Sequence, residues 1–390
     1  MDRYYFDWAA TTKISKNALA KYNEIANKYW ANPSALHQQG EEVHTFLENQ
    51  RELTAQLLKV QPKQIFYTSG ATESNSIVLN SLLLKETKRT IISSFLEHNS
   101  ILNYYPLLER NGFKIDLVKS PGGYFDLEQF KQKLSKEVQL VNLMLVNNLF
   151  GTVQDVKEVA SIIREFEIEN NWKIHLHCDA TQAVGKIDFD LNELDVDSAS
   201  FSAHKFEGPK GVGILFLKSG TIDVLSRSGG QERNIRGGTE DICAISSMNV
   251  ALKESLENLE KNANISNRLK ESFEEQISKS SVIKLISPSV NSQSKSVANI
   301  ITVAVKNIPS EVTTRVLDEE GFSVSSGSAC SNNKANKNIE RFTSSSFSSD
   351  DGKSAIRISF SPYITKVQIE LLAKTLVQKG ELLNSVIRKK

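Results

Sequence analysis

Lys205 closes the run Ser202-Ala203-His204-Lys205, Asp179 stands in His177-Cys178-Asp179-Ala180-Thr181-Gln182, and Cys330 ends Ser325-Ser326-Gly327-Ser328-Ala329-Cys330. A lysine just past an apolar strand can condense with an aldehyde. An aspartate at the end of another strand can keep a pyridine nitrogen protonated, which makes the ring an electron sink. Together these stretches describe a site for pyridoxal 5'-phosphate, joined by a thiol in a Ser/Gly-rich turn. Gly70-Ala71-Thr72 follows the β-rich Ile65-Tyr67 and opens a helical pattern, so its amides and the Thr72 hydroxyl can cradle a phosphate, although plain capping needs the same residues. His98, in Glu97-His98, can stack on a ring and exchange protons, or simply cap the helix that follows.

Other readings of these residues stay open. His175, His177 and Asp179 share one strand face because side chains alternate, and two histidines with a carboxylate form part of a metal-ligand set. That set is incomplete, with no nearby glutamate placed as a general base, so no metal is expected. Lys205 precedes the turn Phe206-Glu207-Gly208-Pro209-Lys210-Gly211, where lysines are commonly solvated, and Lys210 is its natural competitor. Cys178 and Cys243 lie in apolar strand and helix contexts, which suits buried, inert thiols.

Around these residues, apolar β-rich runs alternate with helical patterns from about 64 to 218. The runs are Ile65-Tyr67, Thr90-Phe95, Phe113-Val118, Gln139-Val146, Ile174-Asp179, Ser198-Ala203 and Gly211-Leu217, and helices are expected at Glu73-Leu84, Asn99-Arg110, Leu127-Lys136 and Asp155-Glu169. The alternation predicts an α/β fold, a mostly parallel sheet covered on both faces, with ligands at the carboxyl ends of its strands. Ile242, Ile245, Met248, Leu252, Leu256, Leu259, Ile265, Leu269, Phe273 and Ile277 recur by threes, fours and one six, predicting one long amphipathic helix into a smaller C-terminal domain. That domain is expected to hold strands near Asn299-Val305, Phe322-Ser325 and Ala355-Phe360, a terminal helix from about Lys366 to Ile387, and a mobile loop over Ser331 to Lys353.

Composition narrows the partners. Lys and Arg number 47 against 46 for Asp and Glu, so no global field draws the chain to nucleic acid or an anionic membrane. The longest apolar run, near Leu140 to Val146, is too short to span a bilayer, and the start lacks a basic, apolar leader pattern. A soluble, cytoplasmic protein is expected. Three cysteines without a CxxC pair argue against structural disulfides and zinc.

With these residues in place, the chain resembles a cysteine desulfurase of the NifS/IscS kind, within the class V aminotransferase family of fold-type I pyridoxal-phosphate enzymes. The resemblance covers nearly the whole length. It is carried by Phe6-Asp7-Trp8-Ala9-Ala10-Thr11-Thr12, Asn32-Pro33-Ser34, Phe66 to Ser74, Glu97-His98, Val146-Asn147-Asn148, Asp179 to Lys186, Ser200 to Lys205, Gly229-Gly230-Gln231-Glu232-Arg233 and Arg236-Gly237-Gly238-Thr239. The Ser-Ser-Gly-Ser-Ala-Cys form of the thiol motif is similar to the group with a long cysteine loop. The resemblance implies a mostly parallel seven-stranded sheet flanked by helices. It also implies a large cofactor-binding domain over 14–250 and a small α+β domain from 1–13 and 251–390 that carries the catalytic cysteine.

The resemblance further implies roles. Lys205 would hold the cofactor and move the Cα proton, Asp179 would pair with the pyridinium, His98 would stack on the ring, and Gln182 would bond the phenolic oxygen. Ala71, Thr72, Ser202 and His204 would hold the phosphate, with Thr239 reaching that of the neighbouring subunit in a homodimer. Asn148 and Arg357 would grip the carboxylate of L-cysteine, a task suited to the guanidinium fork. Cys330 would take the sulfur as a persulfide, leaving alanine, and pass it to a sulfur-acceptor protein of iron-sulfur cluster assembly or tRNA thiolation. Three departures stand out: Leu149 in place of an acid after Asn147-Asn148, a polar stretch after Cys330, and Ser361-Pro362 in place of a glycine-led turn. A selenocysteine lyase or aminotransferase on the same fold, and a weakly active binding scaffold, are the alternatives.

Overall fold

The computed structural model describes residues 3–226, 229–326 and 339–387. After a short strand β1 (Tyr4–Tyr5) come β2 (Ile65–Thr68), β3 (Thr90–Ser94), β4 (Lys114–Val118), β5 (Val138–Asn142), β6 (His175–Asp179), β7 (Ser198–Ser202) and β8 (Gly213–Leu217). The last seven form one sheet in the order β2-β8-β7-β6-β5-β3-β4, in which β8 runs antiparallel to both neighbours and the other pairs are parallel. Every residue of β2, β3, β7 and β8 is buried, as expected of strands covered on both faces. The covering helices include Ala71–Leu83, Val156–Asn170 and Ile242–Glu257, the last packed against Lys16–Lys28.

A second sheet comprises β9 (Ile283–Leu285), β10 (Ile300–Val305), β12 (Ser325–Ser326) and β13 (Ala355–Ser359), in the antiparallel order β12-β13-β10-β9; β11 (Phe322–Ser323) pairs in parallel with β1 instead. Phe273 of helix Leu259–Ile277 and Leu372 of helix Lys366–Ile387 close its core against Ile301 and Phe360.

Residues 4–12 join the two sheets. Beyond β1, Ser359 donates its N–H to the Phe6 carbonyl (2.8 Å), and Trp8 donates back to the Ser359 carbonyl (3.0 Å). At the other end Thr12 donates to the His204 carbonyl beside β7 (2.9 Å). No helix among the described residues is long and apolar enough to cross a membrane.

The structure departs from the sequence reading in several places. The expected helix over 242–277 is two, Ile242–Glu257 and Leu259–Ile277, parted at Asn258. The Asn258 side chain donates to the Glu254 carbonyl (2.8 Å), competing with the backbone ladder, and the six-residue step in the apolar spacing falls just beyond this break. The expected helix Asn99–Arg110 splits into Asn99–Leu102 and Tyr105–Arg110, with Pro106 in the first turn of the second. Strand β5 stops at Asn142. The stretch 322–325 divides between two sheets.

Of the expected loop over 331–353, residues 331–338 lie outside the described residues and the rest is partly helical, at 339–344 and at Ser349–Ser354. Phe342 is fully buried there, and Ser348 with Asp351 forms a capping box, so a few well-placed residues order a polar stretch. Helices Lys16–Lys28, Gln38–Leu57 and Ser310–Glu319, and strand β9, were not expected.

Candidate active site

At the carboxyl ends of β6 and β7 lies a cavity of about 580 Å3. Ala71, Thr72, His98 and Asn148 line it, as do Asp179, Gln182, Ser202, His204, Lys205 and Arg357. The expected site residues on six separate stretches of chain therefore converge. Thr239 lies apart, exposed in the segment after 229, and Cys330 falls outside the described residues.

The N-terminus of helix Ala71–Leu83 opens on the cavity, with Gly70 at its cap, φ +147°. Glycine is required at two crossing points here. A Cβ at Gly213 would lie 2.4 Å from the Phe201 carbonyl oxygen and 2.5 Å from the Gly70 Cα, and a Cβ at Gly70 would meet Ser202 Oγ at 3.2 Å. With β8 brought close to this turn, the helix N-terminus at Ala71 and Thr72 lines the same cavity as Ser202, an arrangement that suits an anion. His204 completes this edge, its Nδ1 3.1 Å from Thr11 Oγ1. Burial, and then the charge of Lys205, lowers its pKa to about 4.

Lys205 sits on the single turn Ala203–Lys205 just past β7. Its Nζ donates to the carbonyls of Ala9 (2.9 Å) and Ala10 (2.6 Å), and burial, then the Arg357 charge, lowers its pKa to about 8. Burial and a neighbouring guanidinium, with no carboxylate bonded to the amine, ease its discharge against the two carbonyls that favour the ammonium, which is what a carbonyl-capturing amine needs. Asp179, at the end of β6, accepts from the Thr181 N–H (3.0 Å) and from Asn75 Nδ2 (3.1 Å).

Arg357, on β13, reaches in from the second sheet. It donates to Asp7 Oδ1 (2.6 Å) and to the Asn148 carbonyl (3.0 Å), and its Nε finds no partner among the described residues. Gln182 Nε2 is taken by the Ala9 carbonyl (2.9 Å), while Gln182 Oε1 and Thr181 Oγ1 are buried without partners beside the cavity. Unpaired buried polar atoms at one cavity mark a place for a polar ligand. An amine, a carboxylate, an anion cradle and a free guanidinium donor fit pyridoxal 5'-phosphate together with an amino acid.

His175 and His177, the partial metal set, share Ser198 Oγ, each at 2.7 Å. Cys178 is fully buried, and burial raises its thiol pKa well above the ordinary value. Cys243 is half-buried, also with a raised pKa from burial. Leu149, in the place of the expected acid, packs with Phe150, Leu96 and Phe342 in an apolar cluster.

Sequence reasoning missed Asp7 and the carbonyls of Ala9 and Ala10. It also missed any role for Glu97, whose pKa burial pushes up to about 8. Asp7 stood within a quoted motif and could have been paired with Arg357; backbone carbonyls leave no signal in residue type.

The fold and the site define a class of protein, and comparison with known sequences agrees. Residues 4–372 match the family Aminotransferase class-V, so the chain belongs to the class V aminotransferases. Within that family it is NifS/IscS-like. It is 35% identical to a NifS/IcsS protein homolog of Lactobacillus delbrueckii subsp. bulgaricus over 363 residues, 91% of each chain. It is 35% identical over 332 residues to a cysteine desulfurase IscS of Dictyoglomus turgidum, covering 84% of this chain and 82% of that one. A solved NifS-like protein superposes with a TM-score of 0.87 at 32% identity, covering 98% of this chain and 99% of that one.

Proposed function

We propose that the chain is a pyridoxal-phosphate-dependent cysteine desulfurase, converting L-cysteine to L-alanine with transfer of sulfur to Cys330. The observation that carries this reading is the meeting of the Lys205 amine, the Asp179 carboxylate and the Arg357 guanidinium on one cavity. Lys205 would hold the aldehyde carbon of the cofactor, Asp179 its pyridine nitrogen, Gln182 its phenolic oxygen, and the edge formed by Ala71, Thr72, Ser202 and His204 its phosphate. Bound there, the cofactor supplies an electron sink for the substrate α-carbon.

Arg357 and Asn148 grip the substrate carboxylate. Lys205 would take the α-proton of the substrate, and His98, on the same cavity, would stack on the cofactor ring. The Cys330 thiolate then attacks the substrate sulfur. The new S–S bond forms as the Cβ–S bond breaks, and the electron pair of that bond stays with the carbon framework, which takes up protons to become alanine. The burial and raised pKa values of Cys178 and Cys243 favour Cys330 as the nucleophile. Thr239 is exposed and apart from the cavity, which suits a residue that reaches a neighbouring subunit, so a two-fold dimer belongs to the proposal, as do a cytoplasmic location and a protein that accepts the persulfide sulfur.

The test is Cys330→Ala. It should bind cofactor and still bind cysteine, while alanine release falls to background and alkylation with mass spectrometry traps no persulfide. Alanine release near the wild-type rate would sink the reading, as would a wild-type persulfide carried only on Cys178 or Cys243.

A further inference from the structure

Asn75, on helix Ala71–Leu83, is fully buried, and no step above uses it. Its Nδ2 donates to Asp179 Oδ2 (3.1 Å) and to Ser100 Oγ (2.8 Å), and its Oδ1 lies 2.9 Å from His177 Nε2. Chemistry decides which way the amide faces. A carboxylate only accepts, so Asn75 must turn its NH2 to Asp179 and its oxygen to His177, and His177 must carry a proton on Nε2. Burial, and after it the neighbouring His175, holds the His177 pKa well below the ordinary value, so the ring is neutral and its Nδ1 is bare. Ser198 Oγ, 2.7 Å from that Nδ1, therefore donates to it, and in turn accepts from His175 Nε2 at 2.7 Å.

A second branch leaves the same amide. Ser100 Oγ, having accepted from Asn75, gives its own proton to His98 Nδ1 (2.8 Å), to which the Ser100 N–H also donates (3.1 Å). The neutral His98 ring thus keeps its proton on Nε2. All these donors point one way, from His175 at the amino end of β6, which lines a cleft away from the cavity, to the two groups that face the cofactor site.

We propose that Asn75 is a positioning residue that sets Asp179 from a single buried amide, with His177, Ser198 and His175 fixing that amide's direction from behind and Ser100 carrying the same network on to His98. The roles of Asp179 and His98 rest on the function proposed above; the directions of the hydrogen bonds belong to the chain alone. Asn75 gives Asp179 one of its two donors among the described residues and so fixes the way the carboxylate is turned. No other orientation of the amide satisfies Asp179 and His177 together.

Long-range proton–nitrogen correlation spectra of the 15N-labelled apoprotein at pH 7 read the tautomers directly. In the wild type, His98, His175 and His177 should each be neutral with the proton on Nε2. In Asn75→Ala, His177 should become a mixture of tautomers while His98 keeps its own, still held by the Ser100 amide, and the affinity of the apoprotein for pyridoxal 5'-phosphate should fall about tenfold or more. Asn75→Asp keeps the volume but sets a second carboxylate against Asp179, so affinity should fall at least as far. Ser198→Ala should mix the His177 tautomers, and Ser198→Thr should restore a single one. Cofactor affinity within twofold of wild type in both Asn75 variants overturns the proposal, as does a wild-type His177 protonated on Nδ1. A wild-type protein that takes up no pyridoxal 5'-phosphate overturns the functional reading itself, separately from the tautomers.

Discussion

Replacing Arg357 by alanine should weaken cysteine use far more than it weakens the fold. A guanidinium has five N–H donors, and Arg357 spends one on Asp7 and one on the Asn148 carbonyl, with Nε unpaired. Three donors therefore remain for a substrate carboxylate, enough for a two-pronged grip. Removing one partner of such a charge pair costs roughly 2–4 kcal/mol, which is about 30-fold to 900-fold in kcat/KM. The structural cost should be smaller, because the Asp7 side chain left behind is already 22% exposed and truncating Arg357 opens it further to water. Arg357→Lys, which keeps a charge but not the fork, should fall between alanine and wild type. The assay is alanine release against cysteine concentration, run beside thermal unfolding of each variant. An unchanged KM and kcat at unchanged stability would show that Arg357 serves only Asp7 and the Asn148 carbonyl, and would refute the substrate grip.

The rate at which apoprotein captures pyridoxal 5'-phosphate, followed by visible absorbance, should rise with pH through about 8, the pKa of Lys205. The lowered pKa leaves about a tenth of the amine neutral at pH 7 and about nine-tenths at pH 9; a flat profile over that range would contradict it. Glu232→Gln should cost about 3–5 kcal/mol in urea unfolding of the apoprotein, because Glu232 receives both terminal nitrogens of buried Arg51 at 2.8 and 2.9 Å and the Tyr67 N–H at 2.8 Å. A shift under about 1 kcal/mol would mean that Arg51 finds another partner. Sedimentation should give a dimer, and Thr239→Ala should weaken cofactor binding without dissociating it; a monomer that retains the cofactor tightly would rule out a shared phosphate site.

Lys205 and Asp179 were legible because strand alternation and a following turn place a side chain at a strand end, where α/β folds collect ligands. Gly70-Ala71-Thr72 was legible because a strand running into a helix leaves amides free. Other features depend on contacts that residue type does not announce. Ala9 and Ala10 act on Lys205 through carbonyls from nearly two hundred residues away, and Asn75 is one buried amide among many polar residues. Glu232, quoted as part of a family marker, proves to be an anchor for Arg51 across the base of β2. Helix Gln38–Leu57 escaped notice because its inner face includes that same buried Arg51, which reads as surface charge. The break at Asn258 left its trace in the apolar spacing, but a six-residue step alone does not distinguish a kink from a skipped contact.

Residues 4–12 give the molecule a mechanical weak line. They are held by the short β1–β11 pairing, to the second sheet by the bonds around Ser359, and to the first by Thr12 and the carbonyls of Ala9 and Ala10. Tension applied at the amino end would unzip these bonds in series, a few at a time, whereas the large sheet would have to shear many in parallel. Asp7 would leave Arg357 first, and the carbonyls would leave Lys205 next. A tether there would disarm the site while the large sheet, and most of the protein's stability, stayed whole.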